Sequence, residues 1–284
     1  MSAGLNNPAG SSFRIAPLVE VVADVRWSAP SVVSIPLPQR QGATPLPQLL
    51  LPTTQLEQFV FQFAAAIYNK GFQQAERLVP PGLPLPPGQP VMRFKRAAMS
   101  SDTVLYQIGQ GMFATHAIAP YESWDKFSPF VSDGIDAMLG ARPPTENAFP
   151  ISFLSLHYIN AFRGNLTDKR DIATCFSEIF KIDIKLPIAI TRHMVAGKPY
   201  KPGLSLNMSV DRGNLVLNIG EAIIGGNPEP ALWLDMLFTT TDPIVQPQTS
   251  QVMTVFNHAH KLLHDLFIEL TKPIEHLMRP DTKS

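Results

Sequence analysis

The chain is poor in three things, and each shortage excludes a class of function. It holds a single cysteine, Cys175, so no intrachain disulfide can form and a thiolate metal cage has no ligand set. Asp, Glu, Lys and Arg make up only 16% of the 284 residues, against about 25% in an average soluble domain. The two signs cancel to a net charge of zero, and no Lys/Arg run is longer than two residues. The basic footprint that nucleic-acid binding normally requires is therefore missing. Long apolar runs are also absent: no window approaches about 18 uninterrupted apolar residues. The opening, Met1 to Ser12, lacks the basic and then apolar pattern of an export signal. A membrane is not an expected partner, and the cytoplasm is the expected compartment.

A charge-poor surface is where apolar patches and subunit contacts tend to sit. A protein partner, or a second copy of the chain, is the expectation that follows. Hydrophobic residues reach 45%, enough for a substantial core.

Proline is abundant, at 28 residues, and it is clustered. Pro30, Pro36, Pro38, Pro45, Pro47 and Pro52 deny regular hydrogen bonding to residues 28–52. A second tract spans 80–90. Both read as insertions into the first half of the chain, as mobile loops or as partner-binding arms.

Around them the hydrophobic pattern spells one order of elements twice: strand, helix, short strands, closing helix. In residues 17–145, Val19, Val21, Ala23, Val25 and Trp27 alternate with polar residues, the period of a half-buried strand. Thr54 and Glu57 form a capping box ahead of a Leu56, Phe59, Val60, Phe63, Ile67 stripe. Strands are expected at 91–98, 103–108 and 112–118, the last two joined at Gly109–Gly111. A helix opened by Pro120 carries Trp124, Phe127, Val131, Ile135 and Met138, with a kink at Pro129.

In residues 146–273, the run 151–163 is apolar on both faces and predicts a central strand. Asp171 caps a short helix bearing Ile172, Cys175, Phe176 and Ile179. Strands are expected at 188–195, 204–210, 214–220 and 231–240, with a hairpin at Asp211–Asn214. A five-turn helix runs from Val252 to Leu270 and is stopped by Pro273. Residues 1–16 and 274–284 read as flexible ends. The fold class expected is α+β, in two tandem pseudo-equivalent halves, with a saddle-like shape by analogy of element order.

Chemistry-bearing residues gather where the halves join. His116 precedes Tyr121, Glu122 and Trp124, and His157, Tyr158, Asn160 and Arg163 follow on the next strand. Packing of the halves is expected to bring these side chains to one cleft, as candidate ligand or partner contacts. His260 and His264, with His258 nearby, are spaced to put two imidazoles on one helix face. A third ligand and a His-Glu-x-x-His general base are missing, and both residues sit off the apolar stripe, so a solvated face is expected there rather than a metal site. No Gly-x-Ser-x-Gly elbow occurs, Cys175 lies on a predicted buried face, and Gly225-Gly226 lacks the Lys and Ser/Thr of a phosphate loop. No catalytic residue and no cofactor is assigned.

Three motifs stand in order: Pro17-Leu18-Val19-Glu20-Val21-Val22, then Tyr121-Glu122-Ser123-Trp124-Asp125-Lys126-Phe127, then Leu156-His157-Tyr158-Ile159-Asn160. Together they resemble a sporadically distributed, largely uncharacterised bacterial family marked by a Pro-x-Val-Glu strand, a Tyr-x-x-Trp-x-x-Phe helix and a Leu-Arg-Tyr-Ile-Asn strand. His157 replaces the usual Arg, and the proline tracts exceed the family norm. The resemblance implies an accessory role of the defence, toxin-antitoxin or immunity type, carried by protein binding. An enzyme or small-ligand binder with its site at the seam is the alternative, and a nucleic-acid saddle is the least favoured.

Overall fold

The computed structural model describes residues 16–27, 53–80, 83, 88–96, 103–146, 149–167, 170–195, 198, 200–224, 227–240, 242–244 and 246–279. The stretch before Ala16, the proline tract 28–52, much of the tract 80–90, Gly225-Gly226, residues 280–284 and the Thr54 side chain lie outside these residues.

Among the described residues, nine strands form one antiparallel sheet backed by helices, an α+β fold. In chain order they are β1 (Leu18–Trp27), β2 (Gln74–Arg77), β3 (Pro90–Lys95), β4 (Val104–Gly109), β5 (Met112–Ile118), β6 (Ile151–Phe162), β7 (Leu204–Val210), β8 (Gly213–Ala222) and β9 (Ala231–Thr240). Across the sheet the order is β2-β3-β4-β5-β1-β6-β9-β8-β7. The six α-helices among the described residues are α1 (Thr53–Tyr68), α2 (Trp124–Ala141), α3 (Ile172–Glu178), α4 (Ile188–Thr191), α5 (Thr249–Thr271) and α6 (Glu275–Met278).

The alternation read in β1 decides which face is core. Val21, Ala23, Val25 and Trp27 are buried, and in register Val21 stands opposite Ala117 of β5 on one side and Tyr158 of β6 on the other. β6, apolar on both faces, is central as expected, paired with β1 and β9. Over the core face, α1 contributes Phe59, Phe63 and Ile67, and α2 contributes Phe127, Val131, Ile135 and Met138. Phe63 anchors a ring cluster, with centroids 5.5 Å from Phe94, 5.9 Å from Tyr106 and 5.7 Å from Phe113. Each ring of this size removed from water contributes about 2–3 kcal/mol. Tyr106 satisfies its buried hydroxyl by donating to the Phe130 carbonyl at 2.7 Å. On the other side of the β1–β6 joint, Val252, Phe256, Ala259 and Leu263 of α5 cover Leu156, Leu217, Leu234, Met236 and Phe238.

Several expectations change. The segment 188–195, expected as a strand, forms the short α4 instead. Its apolar residues find no sheet neighbour: Ile188 is 83% and Val195 68% exposed. β2 was not foreseen, because all four of its residues are exposed and carry no hydrophobic period. α2 begins at Trp124 rather than at Pro120. Ser123 is its N-cap, extended and accepting from Lys126 N, and Pro120–Glu122 form a lead-in. Pro129 lies inside that helix, and Pro273 falls in a 3-10 turn after α5. Cys175 is buried on α3, and burial pushes its thiol up to about 11, away from reactivity.

The start of β1 carries an irregularity that matters for the site. Leu18 pairs with Asn160 and Glu20 with Ile159, so one extra residue is accommodated at Val19. Such a bulge bends the strand and turns its end.

Candidate functional site

The bulged end of the β1–β6 joint opens into a cavity of about 450 Å³. Its floor is Leu18, Tyr158, Asn160 and Met236; one wall is the start of α2, Tyr121 to Asp125, and the other is α5, with His260, Leu263, His264 and Phe267. Neighbours in a strand alternate faces, so Tyr158 and Asn160 point together to this side. Asn160 is buried and donates to the Leu234 carbonyl at 3.3 Å, bracing β6 on β9.

Three contacts hold the side chains in place. Tyr158 Oη lies 2.9 Å from Nδ1 of His260. The His260 ring stacks on Trp124, with centroids 4.8 Å apart and planes 10° from parallel. Trp124 Nε1 donates to Asn257 Oδ1 at 2.9 Å, one helical turn before His260. Burial holds Tyr158 well above the ordinary tyrosine value, so its hydroxyl keeps its proton. Burial first, and then the neighbouring His264, push His260 down to about 4. At neutral pH the imidazole is uncharged.

Tyr121 adds a second phenol, also raised by burial. The Tyr158 hydroxyl lies beside it, yet Tyr121 Oη finds no partner of hydrogen-bond geometry. At the mouth, Lys261 pairs with Asp265 at 2.7 Å and Arg279 pairs with Glu275. Glu122 and Asp125 are exposed.

Of the residues nominated from sequence, the cavity gathers Tyr121, Glu122, Trp124, Tyr158 and Asn160, and it adds His260 and His264. The solvated setting expected for His260 does not hold. The start of α2 lies across α5 and covers that ring, while His264 stays exposed. A helix examined alone hides such a contact, because a neighbour can bury a face that its own stripe leaves wet. Among the described residues no group of three His, Cys, Asp or Glu is placed to hold a metal ion.

His116 and His157 do not join this cluster. Strand alternation turns them to the opposite face of the sheet, where both stand beside Val22 of β1. There His116 Nδ1 lies 2.7 Å from Glu20 Oε1, leaving its buried Nε2 without a partner. His157 Nε2 bonds Asp235 Oδ1, Asn218 Nδ2 donates to Asp235 Oδ2 at 2.9 Å, and Ser205 Oγ bonds Asn218 Oδ1 at 2.7 Å. The bond from His116 holds the Glu20 carboxyl below its usual value, against the opposing effect of burial. Burial raises the neighbouring Asp24. Arg163 is separate again, donating to the carbonyls of Ile224 at 2.8 Å and Glu229 at 3.3 Å.

Asn257, Glu20, Asp235 and Asn218 were missed from sequence. Two had a signal: Asp235 is a lone carboxylate in an apolar run, and Asn257 lies three residues before His260 on one helix face.

Searches for similar proteins give no match to any family model, any curated protein or any solved structure. Among the described residues no helix is long and apolar enough to cross a membrane.

Proposed function

We propose that this protein works by binding rather than by catalysis, as a partner-recognising component of a bacterial accessory system. Its recognition site is the cavity at the β1–β6 joint. The observation that carries this reading is the state of the Tyr158–His260 pair. General acid–base catalysis favours a group that titrates near working pH, and here His260 is pushed down to about 4 while Tyr158 is held well above its ordinary value. The two groups best placed to move a proton instead lock one another into a rigid, neutral wall.

The strand order supports the two-halves reading. From the joint outwards it runs β1-β5-β4-β3 and then the short edge strand β2 on one side, and β6-β9-β8-β7 on the other. With α2 and α5 as closing helices, each half of a saddle-like whole would supply one wall of the cavity. The likeness of Pro17–Val22, Tyr121–Phe127 and Leu156–Asn160 to the accessory-type family fits the same picture, since all three segments border the joint. Exposed apolar side chains such as Ile188 and Val195, 83% and 68% accessible, favour a protein partner or a second copy of the chain.

Co-purification of the tagged full chain from its native cells tests the proposal. A stoichiometric protein should be retained by the wild type, lost with Glu122→Lys at the cavity mouth, and retained with His157→Ala on the opposite face. A partner indifferent to Glu122→Lys, or catalytic turnover abolished by His260→Gln, would overturn it.

A further inference from the structure

The charge and shape of the joint cavity select among ligands, and this inference rests on the binding role proposed above. We propose that the cavity receives an amphiphilic organic cation: an apolar body inside, with an ammonium or guanidinium head at the mouth. Leu18, Met236, Leu263 and Phe267 supply apolar lining for the body. A volume of about 450 Å³ suits a single ring or side chain with its flanking atoms.

The head is argued from charge. Of the six charged residues at the mouth among the described residues, Lys261 and Arg279 are already committed to Asp265 and Glu275. Glu122 and Asp125 line the same opening with no basic partner among the described residues. Asp125 is felt by both the Tyr121 hydroxyl and the His260 ring, so its field reaches the cavity rather than only bulk water. The start of α2 points the other way electrostatically, because a helix N-terminus carries about half a positive charge. Two carboxylates without a basic partner among the described residues outweigh it, and an anionic ligand would meet net repulsion from them. The neutral His260 adds no positive charge to oppose them.

The cation can come from a free amine or from a basic residue beside an apolar one in a partner protein. The test uses three probes with one body and different heads: phenethylamine, 2-phenylethanol and 3-phenylpropanoate. Each is titrated against the full chain by calorimetry and by the NMR signal of the Trp124 indole, identified with Trp124→Phe. Phenethylamine should bind about tenfold more tightly than the alcohol, and the carboxylate should bind weakest. The Glu122→Gln, Asp125→Asn variant should erase the preference for the amine while leaving the alcohol's affinity unchanged. Tighter binding of acetyl-Phe-Arg-amide than of phenethylamine would point to a partner's side chain, and the reverse order to a free amine; either supports the cation. Equal binding of the three heads, or a preference for the carboxylate, overturns the cation while leaving the cavity as a site. If none of the three perturbs the Trp124 signal, the cavity reading itself fails.

Discussion

The hydroxyl of Tyr158 lies 2.9 Å from Nδ1 of His260, so the central strand β6 and the long helix α5 are tied together by two residues 102 positions apart in sequence. The bond also sets the chemistry of the cavity. The phenol engages Nδ1 of the imidazole, and Trp124 stacked on the ring fixes its orientation. In the binding role proposed above, a wall organised in this way would lower the entropy lost on binding.

Replacing Tyr158 with Phe removes the hydroxyl and leaves His260 Nδ1 half-buried without that partner. The expected loss is about 1–3 kcal/mol, with no large change in packing because the ring is kept. Urea unfolding of Tyr158→Phe beside the wild type measures it. A loss below a few tenths of a kcal/mol would show that the pair does not brace the joint.

His260 also makes stability depend on pH, and its sign is set by the depressed value. The unfolded chain takes up a proton near 6.5 and the folded chain only near 4, so below 6.5 protons favour unfolding. The contribution is fully present above 6.5 and is lost as pH falls towards 4. Between pH 7 and pH 5 the wild type should lose about 2 kcal/mol through this group. His260→Gln should lose that much less over the same interval, whatever the carboxylates do, because they titrate in both proteins. Parallel urea titrations at the two pH values decide it.

Much of the framework was legible because single residues stated it. The alternation Val21, Ala23, Val25 told which face of β1 is buried, and the Asp211–Arg212 loop placed the β7–β8 hairpin, where Arg212 takes φ of 61°. The expected convergence of His157 with Tyr158 does not occur. Residues next to each other in a strand point to opposite faces, so proximity in sequence separated them in space. The burial of His260 depends on α2 reaching α5 across the joint, a contact between segments more than a hundred residues apart that no local period records. Segment 188–195 is apolar enough for a strand, but strands need a partner edge, and this one has none among the described residues.

On the opposite face, His157 and Asn218 share one carboxylate. Asp235 is 7% exposed and bonds both. Removing His157 leaves a buried charge with reduced support, and removing Asp235 leaves two polar groups without their acceptor. Each alanine substitution should therefore cost more alone than as part of the pair. The double variant is expected to fall short of the sum by about 1–2 kcal/mol. Strict additivity in a double-mutant cycle would mean that the hydrogen bond contributes nothing.

Two glycines on α2 give opposite expectations from the same substitution. A Cβ on Gly134 would come within 2.5 Å of Phe113 Cζ and 2.7 Å of Tyr106 Cε1, whereas one on Gly140 meets nothing within 4 Å. Alanine gains up to about 1 kcal/mol over glycine in a helix. At Gly140 that gain stands alone, so Gly140→Ala should raise the unfolding midpoint. At Gly134 the rings cannot retreat, since both belong to the Phe63 cluster. Overpacking of this kind costs about 1–3 kcal/mol and exceeds the propensity gain, so Gly134→Ala should lower the midpoint. Thermal or urea melts of the two variants side by side test the packing of α2 on β4 and β5. A shift in the same direction for both would show that α2 does not approach the sheet as closely as Gly134 requires.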